Sequence, residues 1–164
     1  MPEQVANQSQ YKSIFNEPLL KTELLEQLRE IEEEAEIESS HEMGREFGAN
    51  AKHEGGLVEE IIKLFLDSTP DMVAEMIGLE SFGEYRRLSE IAHKMKSSSG
   101  SLGLIRFSRL CQFIEDSAGN AEERDYRSLL LDLNRCFEES SIQILQWQLH
   151  LKVGEENDSD REAV

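Results

Sequence analysis

The apolar residues of this 164-residue chain recur at the spacing of α-helices, and no segment alternates in the way of a β-strand. Five segments show this pattern, and the connections between the last three are short. Helices joined by short connections pack antiparallel and bury their apolar stripes against one another. The pattern therefore predicts an all-α protein, an antiparallel four-helix bundle with an additional N-terminal helix.

The polar ends of the chain differ from its middle. Residues 1–16 are predicted to form a flexible N-terminus, 17–153 a single helical domain with its core at about 55–150, and 154–164 a disordered acidic tail. The polar stretch from Glu38 to Gly56 is predicted to be a connection. Pro70 is expected to kink or divide the helix that begins near Leu57, because proline lacks an N–H donor and crowds the preceding turn.

Charge and composition exclude several classes of function. The formal net charge of −17 makes binding to nucleic acid through phosphate neutralisation improbable. No run of 18 apolar residues is present, so no membrane span is expected. Cys111 and Cys136 lie in apolar helical patterns and have no zinc-site spacing around them. We expect a monomeric protein of the cytoplasm.

The polar side of the third helical pattern, from about Glu84 to Ser99, carries a histidine. Its apolar stripe consists of Leu88, Ile91, Ala92, Met95, Ser99 and Leu102. His93 lies about 140° from the centre of that stripe and shares a surface with Lys96 and Ser97. Between Glu84 and Arg109 the chain has six basic and two acidic residues, so the surroundings of His93 are basic although the protein is acidic.

An exposed imidazole of this kind suits phosphoryl transfer. An imidazole nitrogen is partly deprotonated near neutral pH and needs no separate base to act as a nucleophile. Lys96 offers a point charge to the phosphoryl oxygens from one turn away. The sequence has no glycine-rich nucleotide loop and no acidic set that clearly holds magnesium, so the ATP chemistry and the metal are expected on a partner. We therefore expect a phosphocarrier with no cofactor of its own and no enzymatic activity of its own.

The segment from Ile91 to Glu115 resembles histidine-containing phosphotransfer (HPt) domains. Six residues match the family motif: Ala92, His93, Lys96, Ser98, Ser99 and Gly103. Met95 replaces a leucine of the motif, and Ser97 takes a position usually held by glycine. The resemblance implies that His93 is the phosphorylated residue and Lys96 its stabilising cation. It also implies that the group comes from one receiver-domain aspartate and passes to another, with Mg²⁺ bound by the receiver.

The resemblance implies that the partners are the receiver domains of hybrid sensor kinases and response regulators. Local positive charge would steer such an acidic partner towards His93. The expected contacts on the two helices at the site are Arg86, Ser89, Glu90, Ser97, Gly100, Arg106 and Arg109. Ser97 adds a small side chain that can hydrogen-bond a phosphoryl oxygen or make transfer slower or more selective. Two alternatives remain: a non-phosphorylated adaptor that regulates a receiver or kinase through the same face, and an unrelated helical scaffold.

Overall fold

A computed structural model describes residues 2–42, 56–120 and 124–162. These ranges contain six helices and no strand: α1 (Pro2–Ile14), α2 (Thr22–Glu42), α3 (Leu57–Ser81), α4 (Tyr85–Ser101), α5 (Ile105–Gly119) and α6 (Tyr126–Glu162). The predicted all-α class is confirmed. Of the predicted connection over 38–56, residues 43–55 lie outside the described residues, and α2 already occupies its first part.

Helices α3 to α6 form the four-helix bundle. Helices α3 and α5 each contact both α4 and α6, which closes the ring around one core. The rings of Phe65, Phe107 and Phe137 meet between α3, α5 and α6, with centroids 5.8, 6.0 and 6.2 Å apart. The buried side chains of α4 are Leu88, Ile91, Ala92, Met95 and Ser99. This is the stripe that the periodicity predicts, so the opposite face of α4 is turned outward.

The structure corrects the prediction of a flexible segment over residues 1–16, because α1 spans Pro2–Ile14. The helix packs on α5, where the Tyr11 ring lies 5.1 Å from the Phe113 ring and Ile14 is buried. The Tyr11 hydroxyl donates to a carboxylate oxygen of Asp132 on α6. Two anchoring side chains among polar neighbours leave too sparse an apolar pattern for recognition from sequence.

The segment between α1 and α2 is tied to the α4–α5 turn. The Lys21 amide donates to the Gly103 carbonyl over 2.9 Å. Gly103 has φ +77°, and a Cβ there would lie only 2.5 Å from the Lys21 carbonyl oxygen. Helix α2 itself contacts the start of α3, because the Glu32 carboxylate accepts hydrogen bonds from the amides of Leu57 and Val58. These contacts make α2 part of the folded unit.

Three further features of the helices differ from the sequence prediction. Helix α3 is continuous through Pro70, so the proline does not divide it. The buried Thr69 beside it donates its hydroxyl to the Phe65 carbonyl over 2.7 Å within the same helix. Helix α6 continues to Glu162, where a disordered tail was expected from 154, and its start lies at Tyr126 rather than near 121. None of the helices in the described ranges has the length and apolar character to cross a membrane.

Candidate functional site

His93 stands on the outer face of α4, opposite the buried stripe, as the periodicity predicts. Its side chain is 60% exposed. Ala92 and Met95 on the inner face are completely or almost completely buried, and they fix the rotation of the helix about its axis. The imidazole is therefore accessible to another protein without any opening of the bundle.

Glu115 of α5 holds the imidazole. Its Oε1 lies 2.8 Å from His93 Nδ1, across the interface between the two helices. An ionised carboxylate only accepts hydrogen bonds, so the proton of the ring lies on Nδ1 and the lone pair of the neutral imidazole lies on Nε2. The contact leaves Nε2 as the ring nitrogen whose lone pair is free.

Lys96 binds the same carboxylate. Its Nζ lies 2.7 Å from Glu115 Oε2, and the two side chains are 24% and 20% exposed. Burial by itself raises the pKa of Glu115, but the hydrogen bonds from Lys96 and His93 outweigh it and hold the pKa below its ordinary value. The expected cation is thus present one turn from His93, and its immediate partner is Glu115.

Sequence reasoning did not single out Glu115. The residue lies at the edge of the α5 stripe, one turn after the buried Cys111 and one turn before Gly119, which faces Ser89 of α4. An acidic residue at the edge of an apolar stripe was the available signal, and Asp116 beside it is a second one. What the sequence alone does not supply is the axial register of α5 against α4, which decides whether this carboxylate reaches His93.

Ser97 and Gly100 lie on the His93 face, one and two turns further along α4. The Ser97 hydroxyl donates to the His93 carbonyl over 3.3 Å, within its own helix. It is therefore engaged with the backbone, and a role towards a phosphoryl oxygen requires it to rotate. Gly100 packs against α5, where a Cβ would lie 3.3 Å from Ser108 Oγ.

Three of the expected partner contacts lie near the start of α4. Arg86 pairs with Glu90 over 3.4 Å on the exposed surface. Ser89 donates its hydroxyl to the Glu115 carbonyl over 3.0 Å. Together with Gly119 they line an open cavity between the start of α4 and the end of α5, one turn from His93.

The two arginines of α5 do not join this surface. Arg106 donates from Nε to the Glu17 carbonyl over 2.9 Å, and its Nη1 lies 3.8 Å from a Glu139 carboxylate oxygen. Its side chain is 22% exposed and holds the segment before α2, and its role as a partner contact stays a prediction. Arg109 is exposed, but its position in the helix is about 120° from Glu115.

The depressed pKa of Glu115 predicts a pH-dependent contribution to stability. A carboxyl whose pKa is lower in the folded than in the unfolded state stabilises the fold above its unfolded pKa of about 4.3, and that contribution is lost as the pH falls through the folded value. We expect wild type to exceed Glu115→Gln in unfolding free energy by up to about 1 kcal/mol at pH 7, since the group is partly exposed.

Urea unfolding of both proteins from pH 7 to pH 2 measures this difference. The difference should stay constant down to the ordinary pKa of a glutamic acid and shrink only below it. A difference that grows on acidification, or that is absent at pH 7, contradicts the ion pairs at Glu115.

Among the described residues, no group of three or more His, Cys, Asp or Glu side chains is placed to hold a metal ion. Cys111 and Cys136 are free and buried, and burial raises the pKa of each thiol. Because both thiols are buried, neither adds a reactive group to the surface around His93.

Comparison with known proteins agrees with this geometry. The family model of the Hpt domain matches residues 60–151. The fold is similar to the crystal structure of histidine-containing phosphotransfer protein B (HptB) from Pseudomonas aeruginosa PAO1, with a TM-score of 0.62 and 18% sequence identity. That similarity covers 81% of this chain and 96% of HptB. No curated protein matches the chain in sequence.

Proposed function

We propose that His93 is the residue that carries the phosphoryl group. This chain belongs to the Hpt domain family, and its role is histidine phosphotransfer in a phosphorelay. Receiver domains are the partners of this family, and we infer that one receiver aspartate supplies the group and another accepts it. The observation that carries the assignment is the exposed imidazole whose Nδ1 is held by the Glu115 carboxylate.

The transfer step follows from that contact. Nε2 attacks the phosphorus of a receiver aspartyl phosphate, a bond from nitrogen to phosphorus forms, and the bond from phosphorus to the aspartate oxygen breaks. The aspartate leaves as a carboxylate, and the ring keeps its Nδ1 proton and becomes a phosphorylated imidazolium. Glu115 Oε1, 2.8 Å from that nitrogen, stabilises the positive charge that develops on the ring. The reverse step passes the group to the next aspartate.

Lys96 balances the charge of the site. A carboxylate bound to the acceptor imidazole would repel an incoming phosphoryl group. Because Nζ lies 2.7 Å from Glu115 Oε2, the ammonium group offsets that negative charge where the phosphoryl oxygens arrive. The site thus keeps the carboxylate that orients the ring without presenting a net negative surface.

The partner contributes the remaining chemistry. Phosphoryl transfer depends mainly on positioning and on neutralisation of charge. This chain supplies the nucleophile, its orientation and one cation. We expect the receiver to supply Mg²⁺ and the phosphorylated aspartate, and we expect one copy of this chain to be sufficient, since all three site residues come from α4 and α5 of the same bundle.

Transfer of label from a phosphorylated receiver domain tests this function. The chain should take up phosphate in a bond that is labile in acid and stable in alkali, as a phosphoramidate is and an acyl phosphate is not. It should return the label when an unphosphorylated receiver is added. Binding of receivers without any uptake of label would favour the adaptor alternative.

An exposed arginine on the His93 face of α4 is expected to control association. Arg86 lies seven residues before His93, on the same face and about 10 Å away along the helix, and it is 93% exposed. Arg86→Glu should lower the association rate with a receiver about tenfold at low salt and leave the transfer rate within the complex unchanged.

Arg109→Glu is the matched control, because it reverses one exposed charge on a different face of the site. Stopped-flow transfer at increasing receiver concentration and at two ionic strengths separates association from chemistry. Equal effects of the two variants would contradict a partner surface centred on the His93 face of α4.

A further inference from the structure

Helices α4 and α5 carry the same three-residue pattern. In α4 it is Ser89, Lys96 and Gly100, and in α5 it is Ser108, Glu115 and Gly119. In both helices the charged residue follows the serine by seven positions and the glycine by four more, so that each residue of the second set comes 19 positions after its counterpart. At helical spacing the three members of a set share one face.

The two patterns contact each other in a reciprocal way. The Ser89 hydroxyl donates to the Glu115 carbonyl over 3.0 Å, and the Ser108 hydroxyl donates to the Lys96 carbonyl over 3.0 Å. Each serine of one helix therefore binds the backbone of the charged residue on the other helix. Those charged residues form the ion pair whose carboxylate holds His93.

The glycines explain how the serines reach these carbonyls. In a regular helix the carbonyl of residue i is covered by residue i+4, and the residues four after Lys96 and Glu115 are Gly100 and Gly119. A Cβ at Gly100 would lie 3.3 Å from Ser108 Oγ, and one at Gly119 would lie 3.2 Å from Ser89 Oγ. These distances are tighter than ordinary contacts, so a side chain there would push the hydroxyl away.

We propose that Ser89 and Ser108 are positioning residues that lock the axial register of α4 against α5 and so place the Glu115 carboxylate on His93 Nδ1. They act through the backbone carbonyls of Glu115 and Lys96 and make no contact with the phosphoryl group. The inference deepens the proposed function and rests on it only where phosphotransfer is the readout. The geometry of the His93–Glu115 contact is open to measurement without any partner.

The test measures the tautomer ratio of the His93 imidazole by ¹⁵N NMR in the wild type and in the double variant Ser89→Ala/Ser108→Ala. Neutral His93 should be mainly the Nδ1–H tautomer in the wild type, and the ratio of Nδ1–H to Nε2–H should fall about fivefold in the double variant, since the hydrogen bonds that set the register are lost. The transfer rate at saturating receiver should fall by a similar factor without a change in half-saturation. An unchanged tautomer ratio would overturn the proposal.

Two further variants keep the test decisive. Ser101→Ala removes a hydroxyl that bonds only within α4, to the Ser97 carbonyl, and should leave the tautomer ratio unchanged. Gly119→Ala should shift the ratio although alanine is the better helix former, and it provides the readout if the double variant does not fold. An unchanged ratio in Gly119→Ala would then overturn the proposal. Absence of phosphorylation in the wild type would contradict the proposed function, while the tautomer ratio would still decide the role of the serines.

Discussion

Replacing His93 with glutamine should abolish the uptake of label from a phosphorylated receiver, down to the background of receiver autohydrolysis. Glutamine has about the size of the imidazole and offers polar groups, but it has no nitrogen lone pair that can attack phosphorus. The fold should be unaffected, since the side chain is 60% exposed and its role in packing is small. The measurement is transfer of radiolabel followed on gels, with thermal unfolding of the variant as the control.

The other histidines provide a second control for that experiment. His150 is exposed on α6, and its Nδ1 contacts the Gln146 carbonyl of the same helix. His150→Gln should take up label as the wild type does. Retained label in His93→Gln would show that another residue is the acceptor, and loss of label in both variants would point to damage of the fold.

Lys96→Ala should lower the transfer rate within the complex by about tenfold or more. Removing one preorganised donor from an enclosed transition-state site costs about 100-fold, and the effect is expected to be smaller here because Lys96 is 24% exposed. The variant also leaves the Glu115 carboxylate uncompensated beside the incoming phosphoryl group. Lys152→Ala, which removes an exposed cation from α6, is the matched control and should transfer at the wild-type rate.

The coupling between Lys96 and Glu115 separates two roles of the lysine. If the ammonium group acts mainly by offsetting the carboxylate, Lys96→Ala in the background of Glu115→Gln should cost much less than it does in the wild type. Single-turnover rates of the four proteins give this comparison. Strictly additive effects would contradict the shared site that the distances of 2.8 and 2.7 Å describe.

Much of the bundle follows from patterns within single helices. The stripe from Leu88 to Ser99 predicts both that α4 is buried on one side and that His93 faces outward, because both depend only on the helical repeat. The site as a whole depends on contacts between helices. Glu115 reaches His93 only in one register of α5 against α4, and local periodicity carries no information about that register.

The differences at α1 and at Arg106 also arise from contacts between elements that are distant in sequence. Helix α1 is anchored by Tyr11 against Phe113 and Asp132, both distant in sequence, and by the buried Ile14, so its own polar residues gave little indication of it. Arg106 was expected on the partner surface because it is charged and near the motif. Its binding of the Glu17 carbonyl depends on where the segment before α2 crosses α5, which tertiary structure alone decides.

The most direct test of the central claim is to locate the phosphoryl group in the phosphorylated protein by NMR with ¹⁵N-labelled histidine. Coupling between phosphorus and nitrogen identifies the residue and the ring nitrogen together. The hydrogen bond from Nδ1 to Glu115 predicts that the phosphoryl group lies on Nε2 of His93 and that Nδ1 keeps its proton. A phosphoryl group on Nδ1, or on any other residue, would contradict the account.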